Sequence, residues 1–194
     1  TNNRFEMAEG ESSDEYAIRI EGDTTGTDVT DNLFTDIVSD DGTSGDNVNG
    51  IVVRDPDGTS ILRNNFSTVD TAVNVGDNGP NAGKLVVKDN EFSDVTQFGA
   101  IALVNDDSSL NVEISSNTID SSSIGIGIYS GDSSATFSIQ NNDFQNFADG
   151  NKYVDDIASV LTLSDVLNNQ QNTFASDTIL GSNQLRPSPI TDMS

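Results

Sequence analysis

Residues 110–128, LNVEISSNTIDSSSIGIGI, hold in one copy the pattern that recurs along this chain. Apolar Val112 and Ile114 alternate with polar residues before Asn117, and an apolar residue follows two positions after that Asn. Alternation with a period of two is typical of a strand with one buried face. A second alternating run, residues 125–128, comes a few positions later. The stretch therefore predicts three short strands, with a corner at Asn117.

The Asn of this pattern, followed two residues later by Phe or Ile, occurs seven times. The pairs are Asn3/Phe5, Asn32/Phe34, Asn64/Phe66, Asn90/Phe92, Asn117/Ile119, Asn142/Phe144 and Asn172/Phe174. The Asn numbers differ by 29, 32, 26, 27, 25 and 30. Such a period is the mark of a solenoid, in which each repeat packs on its neighbours. We therefore predict an all-β solenoid of about seven coils over residues 1–174, with residues 175–194 as a C-terminal tail covering the last coil.

The residues three and five positions before the five inner Asn residues are mostly apolar. They are Val29, Ile61, Val87, Ile114 and Ile139, and Thr27, Thr59, Leu85, Val112 and Phe137. Strands of neighbouring coils would pair in parallel, about 4.8 Å apart. Like residues would then stack, giving an internal Asn ladder and a Phe stack. Asn suits such a corner because it tolerates left-handed backbone angles.

A leucine-rich repeat is the main alternative, because it also places apolar residues around an Asn in this way. That repeat needs Leu eight positions before the Asn. The chain has Pro56, Ala82, Ser109 and Ser134 there. The second half of each unit is also strand-like rather than helical. The pattern therefore favours a parallel β-helix.

This coil consensus, V-x-I-x-x-N-x-F followed by G-I-x-V, resembles that of the pectate-lyase-like superfamily of right-handed parallel β-helix proteins. Residues 112–128 carry the cleanest copy, and the resemblance covers residues 3–174. It implies a right-handed, single-stranded parallel β-helix. The family includes polysaccharide lyases, pectin hydrolases, alginate epimerases, phage tailspikes and surface adhesins, so the fold alone does not select a function.

The composition excludes several classes of function. The 194 residues carry a net charge of -24, with 32 acidic and 8 basic side chains, which opposes binding to nucleic acid. The chain has no Cys and no His, which excludes disulfides, thiolate metal sites and His-dependent triads. The longest apolar stretch, residues 98–104, is too short to insert into a membrane. The acidic balance is typical of salt-adapted extracellular proteins, and predicts an extracellular or cell-surface location.

The resemblance places a substrate groove along the outward side chains of the Gly-Ile strand. Two outward columns follow from the register: Arg19, Val52, Asn74, Ala102 and Gly127, and Glu21, Arg54, Gly76, Val104 and Tyr129. A lyase needs carboxylates for Ca²⁺ plus a base, and a hydrolase needs a carboxylate pair; the columns hold neither set. We therefore assign no catalytic residue. The candidate glycan-binding residues are Arg19, Arg54, Asn74 and Tyr129.

Arg19 and Arg54 would lie on adjacent coils and could together bind an anionic sugar. The alternative is that they pair with Glu21, Asp55 or Asp57.

Residues 40–46, DDGTSGD, lie in the longest loop and are the candidate metal site. Their carboxylates, Asp40, Asp41 and Asp46, are ligands that Ca²⁺ accepts, and Ca²⁺ is the one cofactor that the sequence suggests. The spacing matches neither an EF-hand nor the nonapeptide of calcium-binding β-rolls. A solvated loop without a metal is the alternative.

The two ends of the repeat differ from its middle. Residues 152–168 could form a helical insertion or a distorted strand, and Asn169 falls where a buried apolar residue is expected. The first Asn is at position 3, which leaves the N-terminal coil without a capping element. Open strand edges need a cover, so we expect an upstream domain or another subunit to provide one.

Together these features favour a non-catalytic extracellular scaffold, adhesin or fibre (tailspike-like) module, with a polysaccharide or cell-surface glycan as its partner. The alternative is a polysaccharide lyase, hydrolase or epimerase that acts on acidic polysaccharide, with Ca²⁺ as its cofactor.

Overall fold

The computed structural model describes residues 1–6, 15–21, 25–39, 48–54, 56–76, 83–104, 110–130, 135–175 and 178–188. Stacked parallel coils form a β-solenoid, with 63% of the described residues in strands and 4% in helix. The all-β prediction is therefore confirmed. Strands rather than helices follow the corners, so the leucine-rich alternative is wrong.

The strands that precede the Asn corners form one parallel sheet of their own. Its members, in spatial order, are β13 (Thr136–Gln140), β10 (Leu110–Ser115), β8 (Gly83–Lys88), β6 (Thr59–Leu62) and β3 (Asp28–Thr30). The pairing aligns equivalent positions, for example Ile114 with both Val87 and Ile139. The apolar residues three positions before each Asn are all buried, as predicted.

The strands that follow the corners form the second sheet. The Asn-x-Phe strands are β1 (Arg4–Glu6), β4 (Leu33–Ile37), β11 (Thr118–Asp120), β14 (Asp143–Gln145) and β16 (Thr173–Phe174). The Gly-Ile strands are β2 (Glu15–Ile20), β5 (Val48–Val53), β12 (Ile124–Ser130) and β15 (Lys152–Asp156). In two coils the Asn-x-Phe strand and the Gly-Ile strand are continuous and form one long strand. These long strands are β7 (Asn65–Val75) and β9 (Glu91–Val104).

The solenoid has about five turns rather than the predicted seven. The sheet before the corners has five strands, although the Asn pattern occurs seven times. No described strand precedes Asn3, and the helix α1 (Leu163–Asn168) stands in that place before Asn172. The first and last copies of the pattern therefore do not close complete turns.

The predicted Asn ladder is present and unbroken. The backbone N–H and the Nδ2 of each ladder Asn both donate to Oδ1 of the next, at 2.9–3.1 Å, from Asn3 through Asn172. In five of the ladder residues the second Nδ2 hydrogen donates to a backbone carbonyl of another coil, as from Asn117 to Val87 at 3.0 Å; these residues are Asn64, Asn90, Asn117, Asn142 and Asn172. Buried polar groups are costly unless they are paired, and here they are. The ladder is thus a polar spine inside the core.

The left-handed residue at each corner is not the ladder Asn, as we had predicted, but the residue before it. These residues have φ between 54° and 57°, and they are Asn2, Asp31, Arg63, Asp89, Ser116, Asn141 and Gln171. A second left-handed residue comes four positions after the ladder Asn: Asp36, Thr68, Asp94, Ser121 and Asn146. Short polar residues visit this region most easily. The ladder Asn is selected instead for its side-chain hydrogen bonds.

The Phe residues form stacks beside the ladder. Phe5, Phe34, Phe66 and Phe92 lie nearly parallel with ring centroids 4.5–5.0 Å apart. A second stack joins Phe144 to Phe174 at 5.2 Å, and Ile119 separates the two stacks.

The Gly near the start of β12, Gly125, has a steric cause. A Cβ on Gly125 would lie 2.6 Å from the carbonyl oxygen of Tyr153 and 2.9 Å from the ring of Phe144. Only Gly leaves room there for both the neighbouring backbone and the stacked ring.

The last coil combines both structures considered for residues 152–168. β15 continues the Gly-Ile column, and α1 replaces the strand that would precede Asn172. The prediction for Asn169 is wrong: its side chain is exposed, because the helix instead buries Leu163 and Val166.

Beyond the last corner, β17 (Thr178–Leu180) and β18 (Gln184–Pro187) form a hairpin that pairs antiparallel with β15.

Candidate functional site

The first predicted column is correctly aligned, but it does not line an open groove. Arg19 pairs with Val52, Val52 with Asn74, Asn74 with Ala102, and Ala102 with Gly127. Val52 and Ala102 lie outside the internal core cluster, yet they are only 5% and 0% exposed. The middle of this face is therefore buried.

Arg19, Arg54, Glu21 and Tyr16 form one cluster at the N-terminal end of the column, called here the arginine patch. The Glu21 carboxylate forms an ion pair with Arg19, and Nη1 of Arg54 lies 3.6 Å from the same carboxylate. Nη1 of Arg19 also donates to the Tyr16 hydroxyl at 3.0 Å. The hydrogen bond to Tyr16 and the neighbouring Glu21 raise the pKa of Arg19. The two arginines thus converge on one carboxylate, as the alternative interpretation predicted for Glu21.

Asn74 lies in the same column and is bonded within the fold. Its Nδ2 donates to Oδ1 of Asn49, which is 3.0 Å away on the neighbouring coil. Oδ1 of Asn74 is buried and accepts no hydrogen bond from the described residues. Asn74 therefore offers a buried acceptor rather than an exposed donor.

Tyr129 does not occupy the predicted position beside Val104. The register shifts between Ile128 and Ser130, so Val104 pairs with Ser130 and Tyr129 lies in the irregularity. Its ring lies against Gly127, where a Cβ would come within 2.5 Å of the ring. Its hydroxyl donates to the carbonyl of Phe98 at 2.6 Å. Burial, with a smaller effect from Asp155, raises the pKa of Tyr129 to about 12.

A bulge in β9, which the sequence reasoning missed, presents Phe98 beside Tyr129. The two rings meet edge to face, with centroids 6.1 Å apart. The register shows two extra residues between Val95 and Gly99 relative to Val69 and Thr71. The signal was the spacing: ten positions separate Asn90 from Ala100, and eight separate Asn64 from Ala72.

Side chains from two other coils hold this bulge. Thr96 donates to Asp70 at 2.7 Å, and Ser123 donates to the carbonyl of Gln97 at 3.0 Å.

Asp155 continues the column beyond Gly127 and was also missed. Its side chain is buried, and Nζ of Lys152 donates to it at 2.6 Å. The column thus ends in an ion pair at both ends, with apolar or aromatic side chains covering most of its middle.

The candidate Ca²⁺ ligands Asp40, Asp41 and Asp46 lie outside the described residues. Within the described ranges, no three acidic side chains come together as a metal site. None of the helices described there is long and apolar enough to span a membrane.

Comparison with known proteins adds no family to this fold. No protein-family model, curated protein or solved structure matches the chain. The β-solenoid architecture is therefore established by the paired strands of the coils themselves.

Proposed function

We propose that this chain is a non-catalytic structural module of an extracellular or cell-surface protein, such as an adhesin or a tailspike-like fibre. The observation that carries the proposal is the Glu21 carboxylate bound between Arg19 and Arg54. Arg19 and Arg54, the two candidate glycan-binding cations, are thereby engaged within the fold. Tyr129 covers Gly127 in the same column, so the chain fills this face with its own side chains.

The unbroken Asn ladder supports the proposal that the module is a rigid structural element. It links the coils from Asn3 to Asn172 by paired hydrogen bonds, and the Phe stacks run beside it. Interactions that repeat from coil to coil resist bending and suit a rigid spacer. The acidic surface suits an extracellular, salt-rich setting. We also propose that the chain is related to the pectate-lyase-like superfamily, and the coil consensus supports this relationship.

A second candidate is an enzyme that binds acidic polysaccharide, and one observation favours it. The arginine patch already binds a carboxylate, so a uronic acid could replace Glu21 in the same geometry. Arginine binds carboxylates well because its planar guanidinium donates several hydrogen bonds. A lyase, hydrolase or epimerase could use such a site to hold its substrate.

An assay with uronic-acid polymers separates the two candidates. The protein is incubated with polygalacturonate or alginate and Ca²⁺. The absorbance of new double bonds reports a lyase, the release of reducing ends a hydrolase, and the C5 configuration of the uronic acids, read by NMR, an epimerase. We expect none of these three changes. Turnover that Arg54→Ala abolishes would establish the enzyme instead. Lys84→Ala is the matched control, because Lys84 lies on the other sheet and pairs with Glu113.

Glycan binding without turnover is tested by calorimetry with oligogalacturonate. Glu21→Gln removes the competing charge and should strengthen any binding by about tenfold, which corresponds to about 1.4 kcal/mol. Equal binding by the original protein, Glu21→Gln and Arg19→Ala would show that the arginine patch is not a glycan site.

A further inference from the structure

We propose that Phe98 and Tyr129 form a site, called here the aromatic corner, for the quaternary ammonium group of a small organic cation such as choline. The two residues lie on the neighbouring strands β9 and β12, on the face formed by the Gly-Ile strands and away from the arginine patch. The inference goes beyond the proposed structural role and does not depend on it.

A bulge that is held in place by another coil presents the Phe98 ring. β9 has two extra residues there, and bulges commonly re-aim a side chain next to a functional site. The backbone carbonyl of Phe98 accepts a hydrogen bond from Tyr129, and that of Gln97 accepts one from Ser123. The Phe98 side chain is nonetheless 38% exposed. An exposed aromatic side chain on a fixed backbone is the kind of feature that marks a recognition site.

The two rings of the aromatic corner stand nearly perpendicular to each other. Their planes meet at 88° with centroids 6.1 Å apart, and the Tyr129 ring is itself held against Gly127. The face of an aromatic ring carries a negative partial charge, so a cation within about 6 Å of the ring centroid is attracted to it. Perpendicular rings offer such contacts from two directions, so the arrangement suits a compact cation.

The same face of the solenoid already contains one cation–π contact. Cζ of Arg19 lies 5.4 Å from the centroid of the Tyr16 ring. Among the described residues, no Arg or Lys side chain lies over Phe98 or Tyr129 in this way. The aromatic corner therefore has ring faces that the described part of the chain does not use for a cation of its own.

The charges around the aromatic corner favour a ligand with net positive charge. The whole chain carries a net charge of -24, which attracts cations and repels anions. Asp70 accepts a hydrogen bond from Thr96 in the bulge, is 4% exposed, and forms no ion pair with the described residues. Asp155 lies beside Gly127 in register and is already paired with Lys152. The carboxylate of Asp70 is thus the uncompensated charge near the bulge.

The hydrogen bonding of the bulge favours a cation without N–H groups. The carbonyls of Gln97 and Phe98 already accept hydrogen bonds from Ser123 and Tyr129. A primary ammonium or a guanidinium in the corner would lose hydrogen bonds to water without finding equivalent acceptors. A quaternary ammonium has no N–H group to satisfy and presents only methyl groups to the rings.

A titration with choline tests the proposal on the full chain, with NMR signals of the amides of residues 97–99 as the readout. The control ligand is dimethylbutanol, the carbon analogue that has the shape of choline without its charge. We expect saturable binding of choline, at least about fivefold tighter than that of dimethylbutanol. Equal affinities would show that the corner binds apolar groups rather than cations. A protein that shows no saturable binding of choline would overturn the proposal.

A substitution at Phe98 locates the binding. Phe98→Leu keeps an apolar side chain but removes the ring, so choline binding should weaken at least about fivefold. Leu180→Ala is the matched control, because Leu180 is also exposed but lies in β17, outside the aromatic corner. This control should bind choline like the original protein. Unchanged binding by Phe98→Leu, or an equal loss in Leu180→Ala, would contradict the assignment.

Gly127→Ala provides a second variant in case Phe98→Leu alters the fold. The added Cβ displaces the Tyr129 ring and leaves the Phe98 side chain unchanged, so choline binding should again weaken. The original affinity in this variant would show that Tyr129 does not belong to the site, and would overturn a site made of two rings.

Glycine betaine tests the preference for a net cation. It carries the same trimethylammonium group as choline together with a carboxylate, which the acidic surface repels. We expect betaine to bind more weakly than choline. We also expect the difference to shrink when NaCl rises from about 0.01 M to about 0.15 M, because the screening length falls from about 30 Å to about 8 Å. Betaine that binds as tightly as choline at low salt would overturn the role given to the surrounding charge.

Discussion

At each corner, two adjacent residues have different structural roles. The first adopts the left-handed backbone conformation, and the second is the ladder Asn. The pair Arg63 and Asn64 illustrates the division: Arg63 has φ 54°, and Asn64 is 2% exposed with its side chain in the ladder. The first position tolerates a long side chain because it points to solvent, where Arg63 binds Asp31 of the preceding coil at 2.8 Å. The ladder position tolerates no other residue so well, since only Asn there both donates and accepts in this geometry.

The neighbouring residues Asn64 and Asn65 provide a matched test of the ladder. Asn64→Ala removes the acceptor of two Asn32 groups and leaves them buried without partners, so we expect the free energy of unfolding to fall by about 3 kcal/mol. Asn65→Ala removes only an exposed hydrogen bond to Glu91 and should cost less than about 0.5 kcal/mol. Denaturant unfolding of both variants measures the difference. Equal losses would contradict a structural role for the ladder.

At the scale of elements, short sequence changes alter how strands join and end. Two extra residues before Ala100 produce the bulge that presents Phe98, and the Gly127-x-Tyr129 sequence lets an aromatic ring lie across a strand. In the last coil, α1 replaces a strand and supplies the carbonyl that ends the ladder. Alternation of apolar residues could not reveal these features, because each depends on contacts between different coils.

Gly127→Ala tests how Tyr129 is held. A Cβ would lie 2.5 Å from the ring, so the ring must shift away from its half-buried position over Gly127. Burial of the neutral phenol raises the pKa of Tyr129 to about 12, and release of the ring should return the pKa toward the ordinary value near 10. Absorbance titration of tyrosinate measures this change, with Tyr129→Phe to identify the signal.

Because folding raises the pKa of Tyr129, the stability of the protein should depend on pH. The unfolded phenol ionises near pH 10 and the folded one near pH 12, so the stability contributed by Tyr129 is complete below pH 10 and is lost between these values. Tyr129→Phe should lose less stability over this range. An unchanged titration in Gly127→Ala would show that the ring is not held by this contact.

At the scale of the whole molecule, the dominant feature is an excess of negative charge. The net charge is -24, and most of the few cations are already engaged in ion pairs. The paired cations are Arg4, Arg19, Arg54, Arg63, Lys84 and Lys152. The remaining carboxylates repel each other across a narrow solenoid, which destabilises the compact state.

Salt should therefore stabilise the protein. Raising NaCl from about 0.05 M to about 1 M shortens the screening length to about 3 Å, and we expect the melting temperature to rise by several degrees. Calorimetry measures the rise. Asp28→Asn combined with Asp94→Asn, both at exposed positions, should make the salt dependence shallower. A melting temperature that falls with salt would mean that attractive ion pairs dominate over repulsion.

The sequence by itself determined the coil, its corners, the ladder, the Phe stack and the alignment of the first outward column. These follow from residue types that recur at one spacing, and repetition makes a contact between neighbouring coils visible in a single chain. The tertiary structure alone decided that Glu21 joins Arg19 and Arg54, that Tyr129 covers Gly127, and that α1 supplies the carbonyl at the end of the ladder. Each of these contacts occurs only once, so it leaves no repeating pattern in the sequence from which it could be predicted.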